Sequence, residues 1–485
     1  MAPISLIRRC TLTLAGALLV AIPAAAEPTV ELTLDRAVDL ALENSLDLRA
    51  ARLDTQIQTT GLRSELARFG RTLNTGLSYQ SDRSPSTSSL EGVRTTTSNR
   101  QGLSFGLAQR LWTGGSLGAQ FSASRYYNNA AYFTVNPVYS SGLELNLTQP
   151  LIRGRGQVNR IGVELARNGI EGGRLALAGQ VRDLRVIVGQ AYWNQFAAIA
   201  GLEVARQLRG GAGRVLDLAR AQAEMGTGTR NSVLQAEVAL ARREEEIVIA
   251  EGSLQSAQDR LKAACGIDQA PDGWSTEVVL VDTPSVAPFA AGLEEGIDRA
   301  LAASVAYQQA LLTARGLDLQ LALARDQVRP QVDLTGTVGV TGVGKSSADN
   351  LEELGQADSR SWRGGVSLTV PLGDSPSDAA LQQRLLEQQR GNLNLDDLRL
   401  QLVQRVRDQH RQIGIALRRT EVAQATVGLA ERNVADQEAR LALGLATVKE
   451  VLDAQDELAS ARGSLLGAVL DYARALLVWE QLTGR

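Results

Sequence analysis

LDRAVDLALENSLDLRAARLDTQIQTTGLRSEL at 34–66 returns without a gap as LEEGIDRALAASVAYQQALLTARGLDLQLALAR at 293–325, an offset of 259. Leu34/Leu293, Asp39/Asp298, Ala41/Ala300, Leu42/Leu301, Ser45/Ser304, Ala51/Ala310, Leu53/Leu312 and Leu62/Leu321 are identical. Further along, Leu147-Thr148-Gln149-Pro150-Leu151 answers Leu368-Thr369-Val370-Pro371-Leu372 at an offset of 221. Val233-Leu234-Gln235-Ala236 then answers Val451-Leu452-Asp453-Ala454 at 218. Matches that keep their order describe a tandem duplication, with units at 27–265 and 293–485 flanking a Pro-rich connector at 266–292. The fall in offset from 259 to 221 gives the first unit 38 additional residues, enough for an extra hairpin.

Residues 1–26 read as an export signal. Arg8 and Arg9 supply charge, Leu12 to Ile22 is an apolar run too short to span a bilayer, and Ala24-Ala25-Ala26 offers a cleavage site. Cys10 precedes that run instead of following it, which argues against lipid attachment. The mature chain then keeps only Cys265 and a single histidine, His410. That excludes an internal disulfide and leaves little for a His-based metal site or catalytic triad. Mature charge is about −5, from 48 basic and 53 acidic residues, and no basic stripe suggests nucleic acid. No P-loop, dinucleotide glycine fingerprint or nucleophile elbow is present, so neither an enzyme nor a cofactor is expected.

No proline interrupts the stretches between Pro150 and Gly226 or between Pro371 and Gly444. After turn-like starts near Arg153-Gly154 and Gly373-Asp374, each predicts one helix of about 65 to 70 residues, on the order of 100 Å long. Beyond each glycine a seven-residue repeat appears. Leu458, Leu465, Tyr472 and Trp479 alternate with Ala454, Ala461, Ala468 and Ala475. Leu240, Ile247, Leu254 and Leu261 do the same with Ala236, Ala250 and Ala257. Large-against-small alternation at heptad spacing is the mark of knobs-into-holes packing. A post-glycine helix of about 38 residues and a repeated segment of about 33, end to end, match the long helix in length. Two short helices are therefore expected to lie along each long one.

Strands are expected at 72–82, 102–111, 116–126 and 142–150 in the first unit, and at 331–341 and 364–371 in the second. Residues 84–98 and 342–360 read as polar loops. The first unit's strand zone, 69–139, holds ten of the nineteen aromatics. Strands of about ten residues suit a tilted membrane crossing, but four to six of them cannot close a barrel that needs at least eight. Several copies sharing one barrel is the economical solution.

These pieces resemble the TolC family of outer-membrane efflux proteins over nearly all of the mature chain. The likeness is carried by Ala41-Leu42-Glu43-Asn44-Ser45, by Leu145 to Leu151, by the weaker copy Ser367 to Leu372, and by Gly444 to Gln455. It implies an α+β membrane protein, a homotrimer whose outer-membrane β-barrel is continued by a long periplasmic α-helical barrel of coiled-coil hairpins. It also implies a passive exit duct, contacting outer-membrane lipid and joined to an inner-membrane pump through a periplasmic adaptor. Two readings lie near it: the outer-membrane component of a type I protein secretion system, or a periplasmic adaptor, whose single nested hairpin fits the tandem order less well.

Two sites follow from the resemblance. The hairpin tips Gly226, Thr227, Gly228, Thr229 and Gly444, Leu445, Thr447 match the family's adaptor-docking ends. Glu450 and Asp453 match the acidic entrance constriction, where threefold symmetry would gather six carboxylates, favour cations and raise the carboxyl pKa values by crowding. A solvated helix surface is the plain alternative for that pair. A tyrosine–arginine latch found in some relatives falls at Leu441 and Ala446, so closure is expected to use other contacts.

Overall fold

The computed structural model describes residues 29–373 and 375–484. The export segment expected at 1–26 and the Asp374 half of the second turn-like start lie outside the described residues. In chain order the elements are β1 (Thr29–Leu32), α1 (Leu34–Asn44), α2 (Leu46–Ala67), β2 (Arg71–Pro85), β3 (Thr95–Arg110), β4 (Ser116–Asn128), β5 (Val138–Pro150), α3 (Ile161–Glu224) and α4 (Arg230–Cys265). There follow β6 (Glu277–Leu280), α5 (Leu293–Ala303), α6 (Val305–Gln327), β7 (Gln331–Gly344), α7 (Ser347–Gln356), β8 (Ser359–Thr369), α8 (Pro376–Ala442) and α9 (Val448–Thr483). Among the described residues no helix is long and apolar enough to cross a membrane.

The two rods are present, 64 residues in α3 and 67 in α8. α2 and then α4 lie along α3, while α6 and then α9 lie along α8. The two units are joined side by side through α6 and α9, which lie between the rods, α3 packing on α6 in one half and on α9 in the other. The helices thus stand four abreast, with α8 at one lateral edge and α2 above α4 at the other. The segment read as one helix of about 33 residues is two, in both copies. The break falls at Ser45 and Ser304, where ψ of 120° and 113° leaves the helical region. Each serine side chain then caps the next helix, accepting from Leu48 N at 3.2 Å or Tyr307 N at 3.3 Å. An identity that reads as a repeat marker is a helix N-cap.

At the middle of the wall β1 pairs in parallel with β6 from the connector. Tyr192 on α3 anchors that small sheet, donating to Leu32 O and accepting from Asp282 N, both at 3.0 Å. His410 is half-buried against Phe289 and Trp479, because the connector folds back over α8 and covers it. Cys265 is fully buried, and burial alone pushes its thiol up to about 12, so it is an inert core residue.

The remaining strands form one antiparallel sheet in the order β2-β3-β4-β5-β7-β8. Pairing extends past the expected ends: the polar run at 84–98 contributes to β2 and β3 through Ser84↔Thr96. The polar stretch at 342–360 is not a plain loop, since it contains α7. That helix lies on the sheet where Gly342 and Gly344 have no side chain to obstruct it, and Ser141 donates to Asn350 Oδ1 at 2.9 Å. The sheet is fixed to the helices by Phe69 stacked on Trp112 at 4.1 Å and by Gly154 N donating to the buried Asp326 at 2.7 Å.

Loss of an N-cap hydroxyl costs about 1 kcal/mol, or roughly five-fold in local opening. Ser304→Ala should therefore accelerate amide exchange about five-fold in the first turn of α6, around Tyr307, and leave the middle of α8 unchanged.

Candidate functional site

Two surfaces of the chain carry features beyond packing: the six-stranded sheet and the pair of helix-hairpin tips. In an antiparallel sheet, directly paired residues share a face. One such row crosses all six strands as Leu73, Leu107, Ala119, Leu145, Val338 and Trp362. The next row on that face is Thr75, Phe105, Phe121, Leu143, Val340 and Arg360. The alternate row on the opposite face reads Asn74, Gly106, Gln120, Glu144, Gly339 and Ser361, and its neighbour Gly76, Ser104, Ser122, Gly142, Thr341 and Ser359. One face is therefore mainly apolar and solvent-exposed, Leu77 reaching 88% and Trp362 83%, and the other is polar, mostly glycine, serine and threonine with Gln120 and Glu144 among them. On β7 the apolar residues run from Val332 to Val340, about 27 Å at the usual strand rise, which at a tilt of about 40° is roughly 21 Å of height, near the apolar band of an outer-membrane barrel. The outer strands β2 and β8 are exposed from end to end, each with one edge unpaired.

The two tips are built alike. α3 ends through Gly226 at φ 76° and α8 through Gly444 at φ 72°, left-handed conformations that suit glycine at a helix C-terminus. Thr227 N and Gly228 N both donate to Gln222 O, at 3.0 and 2.8 Å. Gly228 lies so close to that turn that a Cβ would sit 2.8 Å from Ala223 N. Leu445 N donates to Arg440 O at 2.8 Å. Thr229 and Thr447 are the N-caps of α4 and α9. Met225, Leu443 and Leu445 project as apolar knobs, 68 to 74% exposed.

Glu450 and Asp453 are both exposed, yet their carboxylates go to different places. Glu450 folds back into a capping box, accepting from Thr447 N at 2.6 Å and from its hydroxyl at 2.9 Å. The Thr447 backbone N–H first, and then its hydroxyl, hold the Glu450 carboxyl below the usual glutamate range. Within one chain this is the reverse of the upward shift expected from crowding. Asp453 instead lines a groove of about 390 Å³ between α4 and α9, together with Lys449, Arg242, Arg243 and Asp456.

Gln222 and Arg243, which the sequence did not single out, hold the tips together with Leu441, which it did. Gln222 donates its amide to Leu441 O at 2.9 Å, tying one hairpin to the other. Leu441, at the first latch position, is buried with Val215, Ala219, Val448 and Val451, and Ala446 packs against the same cluster. Apolar packing thus occupies the latch positions. Arg243 sits in the run Arg242 to Glu246, which reads as a solvated charge cluster. Its side chain is only 12% exposed, and it bonds both Glu246, at 2.7 Å, and Asp456 on α9. Nothing in the local pattern separates it from Arg242. Among the described residues no group of His, Cys, Asp or Glu is arranged to hold a metal.

Comparison with known proteins agrees with this architecture. The family model for outer membrane efflux proteins matches residues 37–267 and 296–485. Outer membrane protein TolC of Vibrio cholerae serotype O1 is 24% identical over 306 residues, a match spanning 61% of this chain and 66% of that protein. Among solved structures, VceC of Vibrio cholerae superposes with a TM-score of 0.67 at 16% identity, covering 93% of this chain and 96% of that one. The CmeC outer membrane channel of Campylobacter jejuni gives 0.65 at 14%, covering 98% and 94%.

A depressed carboxyl pKa stabilises the capped tip at neutral pH, and that contribution is lost as pH falls through the folded value, below the ordinary glutamate value of about 4.3. Amide exchange at Thr447 and Glu450, corrected for intrinsic rate, should therefore quicken on acidification. In Glu450→Gln, whose side chain can still cap but does not titrate, it should stay flat.

Proposed function

The chain belongs to the outer membrane efflux protein family, and from that premise we propose that three copies form an outer-membrane exit duct. Each copy gives its six strands to one barrel and its helices, four abreast, to one periplasmic tunnel. The reading is carried by the sheet: an apolar row crosses all its strands and ends on both sides at an unpaired edge. In hydrocarbon such edges are tolerated only when closed, and one sheet of six strands is too small to close on itself.

The helices support the same assembly. On the α8 edge, Leu386, Leu393 and Leu400, and again Ile415, Val422 and Leu429, form heptad stripes 51 to 69% exposed. On the other edge, Leu46, Leu53 and Ile57 of α2 and Leu234, Val238, Val248 and Ile249 of α4 are 56 to 68% exposed. Two different apolar edges on one chain make a head-to-tail contact that closes into a ring.

The duct is passive and uses no cofactor. An inner-membrane pump supplies the energy, and a periplasmic adaptor joins it to the duct at the tips, on Gly226 to Thr229 and on Gly444, Leu445 and Thr447. Asp453, with Glu450, forms the acidic constriction at the entrance, which favours cations.

Three measurements test the proposal. Val422 and Val248 lie about 30 and 27 Å from their tips by helical rise. Val422→Cys with Val248→Cys should therefore give disulfide-linked trimers in native membranes; exclusively monomeric chains would contradict the ring. Purified protein in planar bilayers should show discrete, cation-preferring conductance, and Glu450→Gln with Asp453→Asn should weaken that preference. An unchanged selectivity would remove the acidic constriction. Crosslinkable cysteines at Thr227 and Leu445 should capture the adaptor, whereas capture at mid-helix controls alone would count against the tips.

A further inference from the structure

The first half of the chain delivers four strands to the sheet and the second half delivers two. β2 follows α1 and α2 as β7 follows α5 and α6, while β5 runs into Leu147-Thr148-Gln149-Pro150-Leu151 as β8 runs into Leu368-Thr369-Val370-Pro371-Leu372. The surplus is therefore the β3–β4 hairpin. Such a hairpin can project from the membrane, leaving β2 paired with β5, or it can be built into the wall. Here β2 pairs along its whole length with β3, from Arg71↔Gln109 to Pro85↔Thr95, and it is β4 that pairs with β5.

The hairpin also carries both faces of the wall at matching heights. Leu103, Phe105 and Leu107 with Ala119, Phe121 and Ala123 continue the apolar face. Gly102, Ser104 and Gly106 with Gly118, Ser122 and Ser124 continue the polar one. A hairpin standing in water has no need of a continuous apolar face. One standing in lipid requires it.

We infer that the trimeric duct has an eighteen-stranded exit, an open aqueous pore for bulky hydrophilic cargo. This rests on the trimer proposed above: six strands from each of three copies. At an inter-strand spacing of about 4.8 Å and a tilt of about 40°, eighteen strands enclose a barrel about 36 Å across. One hairpin from each half of each chain would make twelve strands and a barrel of about 24 Å on the same geometry. Glycine, serine and threonine dominate the polar face, so side chains subtract little from that width. The tunnel fits the wider figure. Four helices abreast in three copies, about 9 to 10 Å apart, form a ring roughly 36 Å across, so duct and exit meet without a step.

Cryo-electron microscopy of the particle in lipid nanodiscs is the first test. Eighteen strands around a threefold axis are expected. Twelve strands with three projecting hairpins would overturn the inference while leaving the trimeric duct intact, and a particle without threefold symmetry would overturn the duct itself. A second test uses the shared register, which places Leu73 level with Leu145. Replacing residues 81–137 by an Asn-Gly turn should join β2 directly to β5. In planar bilayers, neutral polymers of graded size added on the barrel side should enter the parent up to about 1.5 times the radius admitted by this variant. An equal cut-off would overturn the inference. If the variant fails to insert, the strand count of the parent decides.

Discussion

Every backbone N–H and C=O in the hydrocarbon layer needs a partner, and this constraint organises the molecule. The sheet meets it on four of its six strands. The outward edges of β2 and β8 do not, and an unpaired edge in lipid costs several kcal/mol for each open group. Covering them with a different protein would demand a complementary edge from elsewhere. In the proposed ring a second copy of the same chain supplies one, because β2 and β8 run in opposite directions and an even number of strands would keep the pairing antiparallel all the way round.

The same economy shapes the helices. A rod of 64 or 67 residues has more lateral surface than one partner helix can bury, so two shorter helices share each rod. The breaks between them sit where serine caps and the parallel β1–β6 pair collect the connector into one belt. Core side chains such as Tyr192, Ile413 and Val406 are fully buried there. The lateral apolar stripes are exposed on the single chain, and the proposed ring would cover them. At the far end, the chain reverses through two glycines and recaps with two threonines, leaving small apolar knobs above a cluster centred on Leu441.

Much of this was legible in the sequence, because duplication, heptad spacing and period-2 alternation report long-range order through short-range pattern. The rods, the tips and all six strands could be read from it. What escaped depended on partners far away in the chain. Ser45 and Ser304 end one helix and cap the next, and the shorter pieces α1 and α5 pack on their own sites against α3 and α8. The run at 347–356 has helix-forming residues, yet a loop between strands offered no reason to expect a helix without the bare glycine backbone of β7 beneath it. Gln222 and Arg243 act across hairpins, which no local spacing records. Glu450 does carry a local signal, since Thr447 followed three residues later by glutamate is a capping box. The same carboxylate serves a helix end in one chain and an entrance charge in the proposed ring.

The most direct measurement is hydrogen exchange of the native particle in lipid, read strand by strand. If another copy closes the sheet, amides of β2 and β8 will be as protected as those of β4 and β5 inside it. Rapid exchange confined to β2 and β8, with the inner strands protected, would show that the edges stay open and would contradict the account.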